Sequence, residues 1–174
     1  MIKIAVTGGI GSGKSTVLQY IKEMGYPVFS CDAIYKEITG DKNYIKQIAK
    51  IFPSAVVNGE IQRNILAEIV FNNPEYRTIL NQISHGLIMK TLFERMNNCE
   101  SELVFAEVPL LFEGNHELSF DKVLVIKRTL TDRIAAIQTR DHLNKEEIQK
   151  RIDSQFDYAS PEAKKRFERC RNYQ

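Results

Sequence analysis

Apolar and polar positions follow two rhythms along this chain, and the switches between them lay out its elements. Ile2, Ile4, Ala5 and Val6 form a short apolar run, the pattern of a buried parallel strand. Val17, Leu18, Ile21 and Met24 recur at helical spacing until Gly25 offers a left-handed stop. Val28 and Phe29 predict a second strand ending at Ser30-Cys31-Asp32. Ile34 and Ile38 then predict a helix from about Ala33, closed by Gly40. Past Asp41, a helix cap, an apolar stripe of Ile45, Ile48 and Phe52 stops at Pro53. Val56-Val57-Asn58-Gly59-Glu60-Ile61 reads as a tight turn between short extended pieces. Residues 64–71 are amphipathic through Ile65, Leu66, Ile69 and Val70. Asn73-Pro74 opens a helix with Tyr76, Ile79, Leu80 and Ile83 inward, and a further helix carries Leu87, Ile88, Leu92 and Met96.

Residues 103–108 are almost uninterruptedly apolar, as a central parallel strand should be, and Val123-Leu124-Val125-Ile126 is a fourth strand. A helix from Thr131 to about Asp141 precedes a second one opened by Asn144 and Glu147. These two, joined by a short polar turn, read as a lid. Ser160-Pro161 starts a last helix crowded with Lys164, Lys165, Arg166, Arg169 and Arg171. The alternation predicts an α/β protein of three layers (α/β/α) around a parallel sheet, and the motif G-x-x-x-x-G-K-S from Gly8 to Ser15 between its first strand and helix makes it one of the P-loop type. One domain over residues 1–174 is expected: a core at 1–34 and 100–130, a helical lobe at about 35–99, and a lid at about 131–158. The lobe is too long for a simple crossover and is a natural place for a second substrate. A fifth strand and closing helix, expected of such a domain, are missing from the pattern.

Composition narrows this little. Among 174 residues, 43% are hydrophobic and 26% charged, with a formal net charge of +2. That is an ordinary globular chain, too weakly basic to imply nucleic acid. Cys31, Cys99 and Cys170 lie far apart, with no metal-ligand spacing, and suggest reduced thiols in a cytoplasmic setting. The run from Ile2 to Val6 is too short for a signal peptide, and no stretch is long enough to span a bilayer.

The chemistry concentrates in Gly8-Gly9-Ile10-Gly11-Ser12-Gly13-Lys14-Ser15-Thr16, which fits G-x-x-x-x-G-K-[ST] between a strand and a helix. A triphosphate needs a donor for each oxygen. Glycines let backbone N–H groups wrap it, and the following helix adds its positive end. Gly9, Gly11, Ser12, Gly13 and Thr16 are therefore candidate ATP contacts with Lys14, whose ammonium reaches the outer phosphates. Ser15 is a candidate ligand of the accompanying magnesium. Asp32 leaves the second strand at the same sheet edge, and its position suits a helix cap and a catalytic carboxylate equally. Glu107 either holds a magnesium-bound water or sits at a solvated rim; buried, it needs a partner. Arg133, Arg140 and Arg151 could each fold over the phosphates, and spacing selects none of them.

With those residues in view, the chain resembles the dephospho-coenzyme A kinases. The likeness runs from Thr7 through Thr16, places Asp32 at the second aspartate of an Asp-Ala-Asp motif, and continues through Gly59, Arg63, Leu66, Val70 and Phe71. It takes in His85 at a His-Pro position, Pro109-Leu110-Leu111-Phe112-Glu113, and Arg140 and Gln155 in the lid. Departures are Ser30-Cys31 for the first Asp-Ala, Gly86 for the proline, and Arg133 and Ala136 at lid positions usually held by glutamine and arginine. The resemblance implies ATP-dependent phosphorylation of the ribose 3′-hydroxyl of dephospho-coenzyme A by a monomer or weak oligomer. It implies catalytic roles for Asp32, Lys14 and Arg140, and substrate contacts from Asp32, Arg63, His85, Pro109 and Leu110. Another small-molecule or nucleoside monophosphate kinase, or a nucleotide-binding module without catalysis, would share the loop. The stretch 109–113 and the Gly59/Arg63 pair favour the first reading.

Overall fold

The computed structural model describes residues 1–172; Tyr173, Gln174 and the side chains of Arg171 and Asn172 lie outside the described residues. In chain order the elements are β1 (Ile2–Thr7), α1 (Lys14–Glu23), β2 (Val28–Ser30), α2 (Cys31–Ile38), α3 (Lys42–Ile51), β3 (Val56–Val57), β4 (Glu60–Ile61) and α4 (Arg63–Asn72). Then come α5 (Pro74–Asn97), β5 (Leu103–Glu107), β6 (Lys122–Val125), α6 (Leu130–Asp141), α7 (Lys145–Asp153) and α8 (Pro161–Asn172). The chain forms two compact units, one of Met1–Ser30 with the chain from Met96 onward, the other Cys31–Arg95.

In the first unit a parallel sheet runs β2-β5-β1-β6. β1 is central, pairing Val6 with Glu107 on one side and Thr7 with Val125 on the other. Ser30 at the end of β2 also lies opposite Glu107. This register brings the carboxyl ends of β1, β2 and β5 level, so the loops that follow them leave one edge, where α/β sheets place ligands. Burial explains the apolar rhythm: Val6, Leu18, Ile21 and Phe105 form the core between sheet and α1, flanked by Ile4, Val17 and Val28.

After β5 the chain turns through Leu111 and Phe112, both fully buried. Phe112 stacks on Phe156 at 4.8 Å and meets Phe167 of α8 at 5.4 Å between ring centroids. Beside this cluster the Arg166 guanidinium donates to the buried Glu117 carboxylate at 2.7 Å through Nε and to Asn115 Oδ1 at 3.0 Å. Glu117 already has one oxygen, Oε2, without a hydrogen bond. Arg166→Met therefore strands a buried charge, and destabilisation of about 2–3 kcal/mol is expected in urea unfolding. An unchanged midpoint would show that the Arg166–Glu117 pair contributes no net stability.

The second unit is helical apart from a β3–β4 hairpin, where Asn58 (φ 52°) and Gly59 (φ 78°) supply the two left-handed residues of a tight turn. Its interior contains Ile34, Tyr44, Ile48, Phe52 and Leu92, and the Tyr44 hydroxyl bonds Ser84 Oγ at 2.8 Å. Two sequence expectations change here. The helix expected from Ala33 begins at Cys31, so Asp32 stands in its first turn and not at its cap. The two helices expected between 73 and 98 are one 24-residue helix, α5, running straight through Gly86. A glycine inside a helix costs only about 1 kcal/mol, which burial of Ile88, Met89 and Leu92 outweighs. In α4 the expected stripe faces inward, Leu66 buried and Ile65, Ile69 and Val70 half-buried, while Phe71 beside it is 79% exposed.

Candidate functional site

Residues 8–13 join β1 to α1 in a loop that side chains could not form. Gly11 has φ +75°, and a Cβ there would lie 2.7 Å from the Arg133 carbonyl oxygen. Gly13, at φ 94°, precedes α1, which has no side-chain cap and no acidic residue in its first turn. The positive end of that helix is left for an anion. Lys14 folds back over the loop, donating to the Gly8 carbonyl at 2.7 Å and the Gly9 carbonyl at 3.2 Å. Ser12 is buried, and its hydroxyl has no partner among the described residues. A buried orphan hydroxyl in a glycine-rich loop is a donor waiting for a ligand oxygen. Ser15 and Thr16 are exposed in the first turn of α1.

The apex of the loop is held from outside. The Ile10 N–H donates to Gln155 Oε1 at 2.7 Å, while Arg133 Nε donates to the Ile10 carbonyl at 2.9 Å. Below it, Thr7 Oγ1 and the Tyr158 hydroxyl lie 3.1 Å apart, and burial pushes the Tyr158 phenol above its ordinary pKa. Arg133 thus braces the loop backbone through Nε, with its other N–H donors beside the loop. Gln155→Leu is expected to lower ATP affinity about 3- to 10-fold, the loss of roughly one hydrogen bond's ordering. Equilibrium ATP titration with amide exchange at residues 9–12 would register it, and unchanged exchange there would count against the tether.

A cavity of about 240 Å³ opens between residues 11–16 and α6, and Arg128 and Arg140 line it. Of Arg133, Arg140 and Arg151, Arg140 borders this cavity. Arg140 grips Asp141 through Nε (2.7 Å) and Nη2 (2.8 Å), which holds the Asp141 carboxyl below its ordinary range. A guanidinium has five N–H donors, so the remaining ones are open to a phosphoryl oxygen. Arg151 stands 3.9 Å from the same Asp141. Arg128 was not legible beforehand: it lies just past β6 on no periodic pattern. It also borders a second cavity of about 150 Å³ behind the loop, with Gly9, Ser12, Arg133 and Tyr158.

Glu107 ends β5 half-buried, and Ser30 Oγ donates to its Oε2 at 3.2 Å, supplying the partner that its position demands. Pro109 is half-buried and Leu110 is 43% exposed, whereas Leu111 and Phe112 are packing residues. Glu113 Oε1 accepts from the Phe156 N–H at 2.8 Å.

In the second unit Asp32 is exposed in the first turn of α2. Arg63 opens α4, with Nη2 3.4 Å from Thr39 Oγ1. His85 is half-buried in the middle of α5, and burial holds its imidazole below the ordinary value of 6.5. Among the described residues no three His, Cys, Asp or Glu side chains converge as a metal cage, and no helix is long and apolar enough to cross a membrane.

Comparison with known proteins matches the dephospho-CoA kinase family model over residues 2–167. A Thermus thermophilus dephospho-CoA kinase is 36% identical over 165 residues, covering 95% of this chain and 78% of that protein. The Coxiella burnetii dephospho-CoA kinase is 37% identical over 159 residues, covering 89% and 80%. A Thermus thermophilus crystal structure superposes with a TM-score of 0.79 at 36% identity, covering 95% and 83% of the two chains. The dephospho-CoA kinase from Campylobacter jejuni gives 0.62 at 33% identity, covering 88% and 79%.

Proposed function

The chain belongs to the dephospho-CoA kinase family, and from that premise we propose how its own residues perform the last step of coenzyme A synthesis. The reaction is ATP-dependent phosphorylation of the ribose 3′-hydroxyl of dephospho-coenzyme A. The observation that carries the assignment of roles is the loop at residues 8–15, with its unpartnered Ser12 hydroxyl and uncapped helix end. Phosphoryl transfer needs positioning and charge neutralisation more than covalent chemistry. The amides of Gly9 through Thr16 hold the phosphates of ATP, and Lys14 exchanges its carbonyl partners for phosphate oxygens. Arg140, with Arg128, meets charge as it spreads over the transferred group. Asp32 orients the acceptor hydroxyl and takes its proton late, since an ordinary carboxylate is too weak to remove it first. Arg63, His85, Pro109 and Leu110 contact the acceptor. The second unit is the acceptor lobe, and α6 with α7 is the lid.

Magnesium suits the oxygen donors present. The exposed Ser15 hydroxyl would ligate it and Glu107 would hold one of its waters, the nucleotide supplying the other ligands. When bound, the ion would supply positive charge that offsets the charge of the phosphates. A monomer or weak oligomer in the cytoplasm completes the proposal. ADP release is to be measured with ATP and a panel of acceptors. Stimulation by dephospho-coenzyme A, and not by nucleoside monophosphates, is the expected result. Binding of ATP without turnover of any acceptor would make the chain a nucleotide-binding module instead.

A further inference from the structure

The second unit contains a pocket that none of the roles above explains. It has a volume of about 470 Å³ and opens between the end of α2, the start of α3 and the β3–β4 hairpin. Lys36, Lys42 and Arg63 line it with three cationic heads against one carboxylate, Glu60, while Ile45 and Ile61 provide apolar wall. Arg63 stands at the start of α4, whose cap residue Gln62 makes no side-chain cap hydrogen bond, so that helix end adds positive potential to the same wall. Both lysines and the arginine are exposed. Together they make a cavity selective for a multiply charged anion with an organic tail.

Lys36 stands four residues after Asp32 on α2, so the two side chains share one helix face about 6 Å apart along the axis. In a nucleoside 5′-diphosphate ester, the single bonds from the ribose 3′-oxygen to the 5′-phosphorus reach no further than roughly one helical turn. A ligand whose 3′-hydroxyl meets Asp32 can therefore set its diphosphate at Lys36.

We infer that the Lys36, Lys42 and Arg63 pocket binds the 5′-diphosphate of the acceptor and thereby sets which ribose hydroxyl Asp32 meets. This rests on the kinase reading above and adds Lys36 and Lys42, which are positioning and specificity residues and do not touch the reacting atoms. Arg63 supplies a planar fork for one phosphate; the lysines act as point charges on the other. The apolar wall of Ile45 and Ile61 receives the start of the tail beyond the diphosphate.

The test uses the full chain with Lys36→Gln and Lys42→Gln, singly and together; both sites are exposed, and thermal melts confirm folding. Dephospho-coenzyme A affinity and KM are expected to weaken about tenfold per lysine, with ATP affinity within twofold of the parent. The salt dependence of acceptor KM should flatten in the double variant, which a merely structural change would not produce. Unchanged acceptor KM, or equal losses for ATP and acceptor, would overturn the inference. If acceptor KM is unmoved while an effect of added inorganic phosphate or diphosphate on the rate disappears, the pocket serves a free regulatory anion and the inference fails. A parent protein that turns over no dephospho-coenzyme A would instead defeat the kinase reading on which this rests.

Discussion

Lys14→Ala is expected to lower kcat/KM by about 10³-fold and to weaken ATP binding at the same time. The side chain does two jobs that alanine cannot share. Its ammonium bonds the Gly8 and Gly9 carbonyls, at 2.7 and 3.2 Å, holding the loop closed around the space a phosphate fills. With nucleotide present the same charge moves to the outer phosphates, where it counts more as the transition state spreads negative charge. Lys14→Arg should not restore activity, because a planar fork cannot follow a point charge into so tight a loop. Pre-steady-state turnover and an ATP titration on each variant separate the two effects. ATP affinity and rate that survive in Lys14→Ala would remove the loop from the mechanism.

Asp32→Asn should slow transfer about 10²- to 10⁴-fold while leaving ATP affinity nearly intact. Asparagine keeps the shape and loses the ability to accept a proton. The side chain is exposed in the first turn of α2, so little folding energy depends on its charge beyond a helix-dipole contribution of under about 1 kcal/mol. A loss of kcat with a small change in melting temperature is the signature of chemistry. A loss of stability with kcat preserved would make Asp32 a helix-terminus residue only.

Much of this was readable in the chain because it is local. The phosphate loop declares itself through glycine spacing between a strand and a helix. The hairpin at Asn58-Gly59 and the capping box at Asn144/Glu147 are signals of a few neighbouring residues. The apolar positions between 73 and 98 read as two helices, whereas the backbone runs as one through Gly86, with Ser84 buried on one side and Ile88 and Met89 on the other. The motif Pro109-Leu110-Leu111-Phe112-Glu113 carries the family likeness, yet packing divides it: Leu111 and Phe112 fill the interior, and Leu110 and Glu113 are exposed.

What the amino-acid order determined by itself is the periodicity of strands and helices, the anion-binding loop, and the carboxylate two residues past β2. Each depends on contacts along the backbone within a turn or a strand. What only the tertiary structure decided is who serves that loop. Ile10 meets Gln155 across 145 residues and Arg133 across 123, and Thr7 meets Tyr158 across 151. Arg140 lines the cavity beside residues 11–16, while Arg133 donates to the Ile10 carbonyl. No spacing rule encodes such pairings, for a hydrogen bond depends on where two segments are brought together in space, and that is set by how the whole sheet and its helices pack.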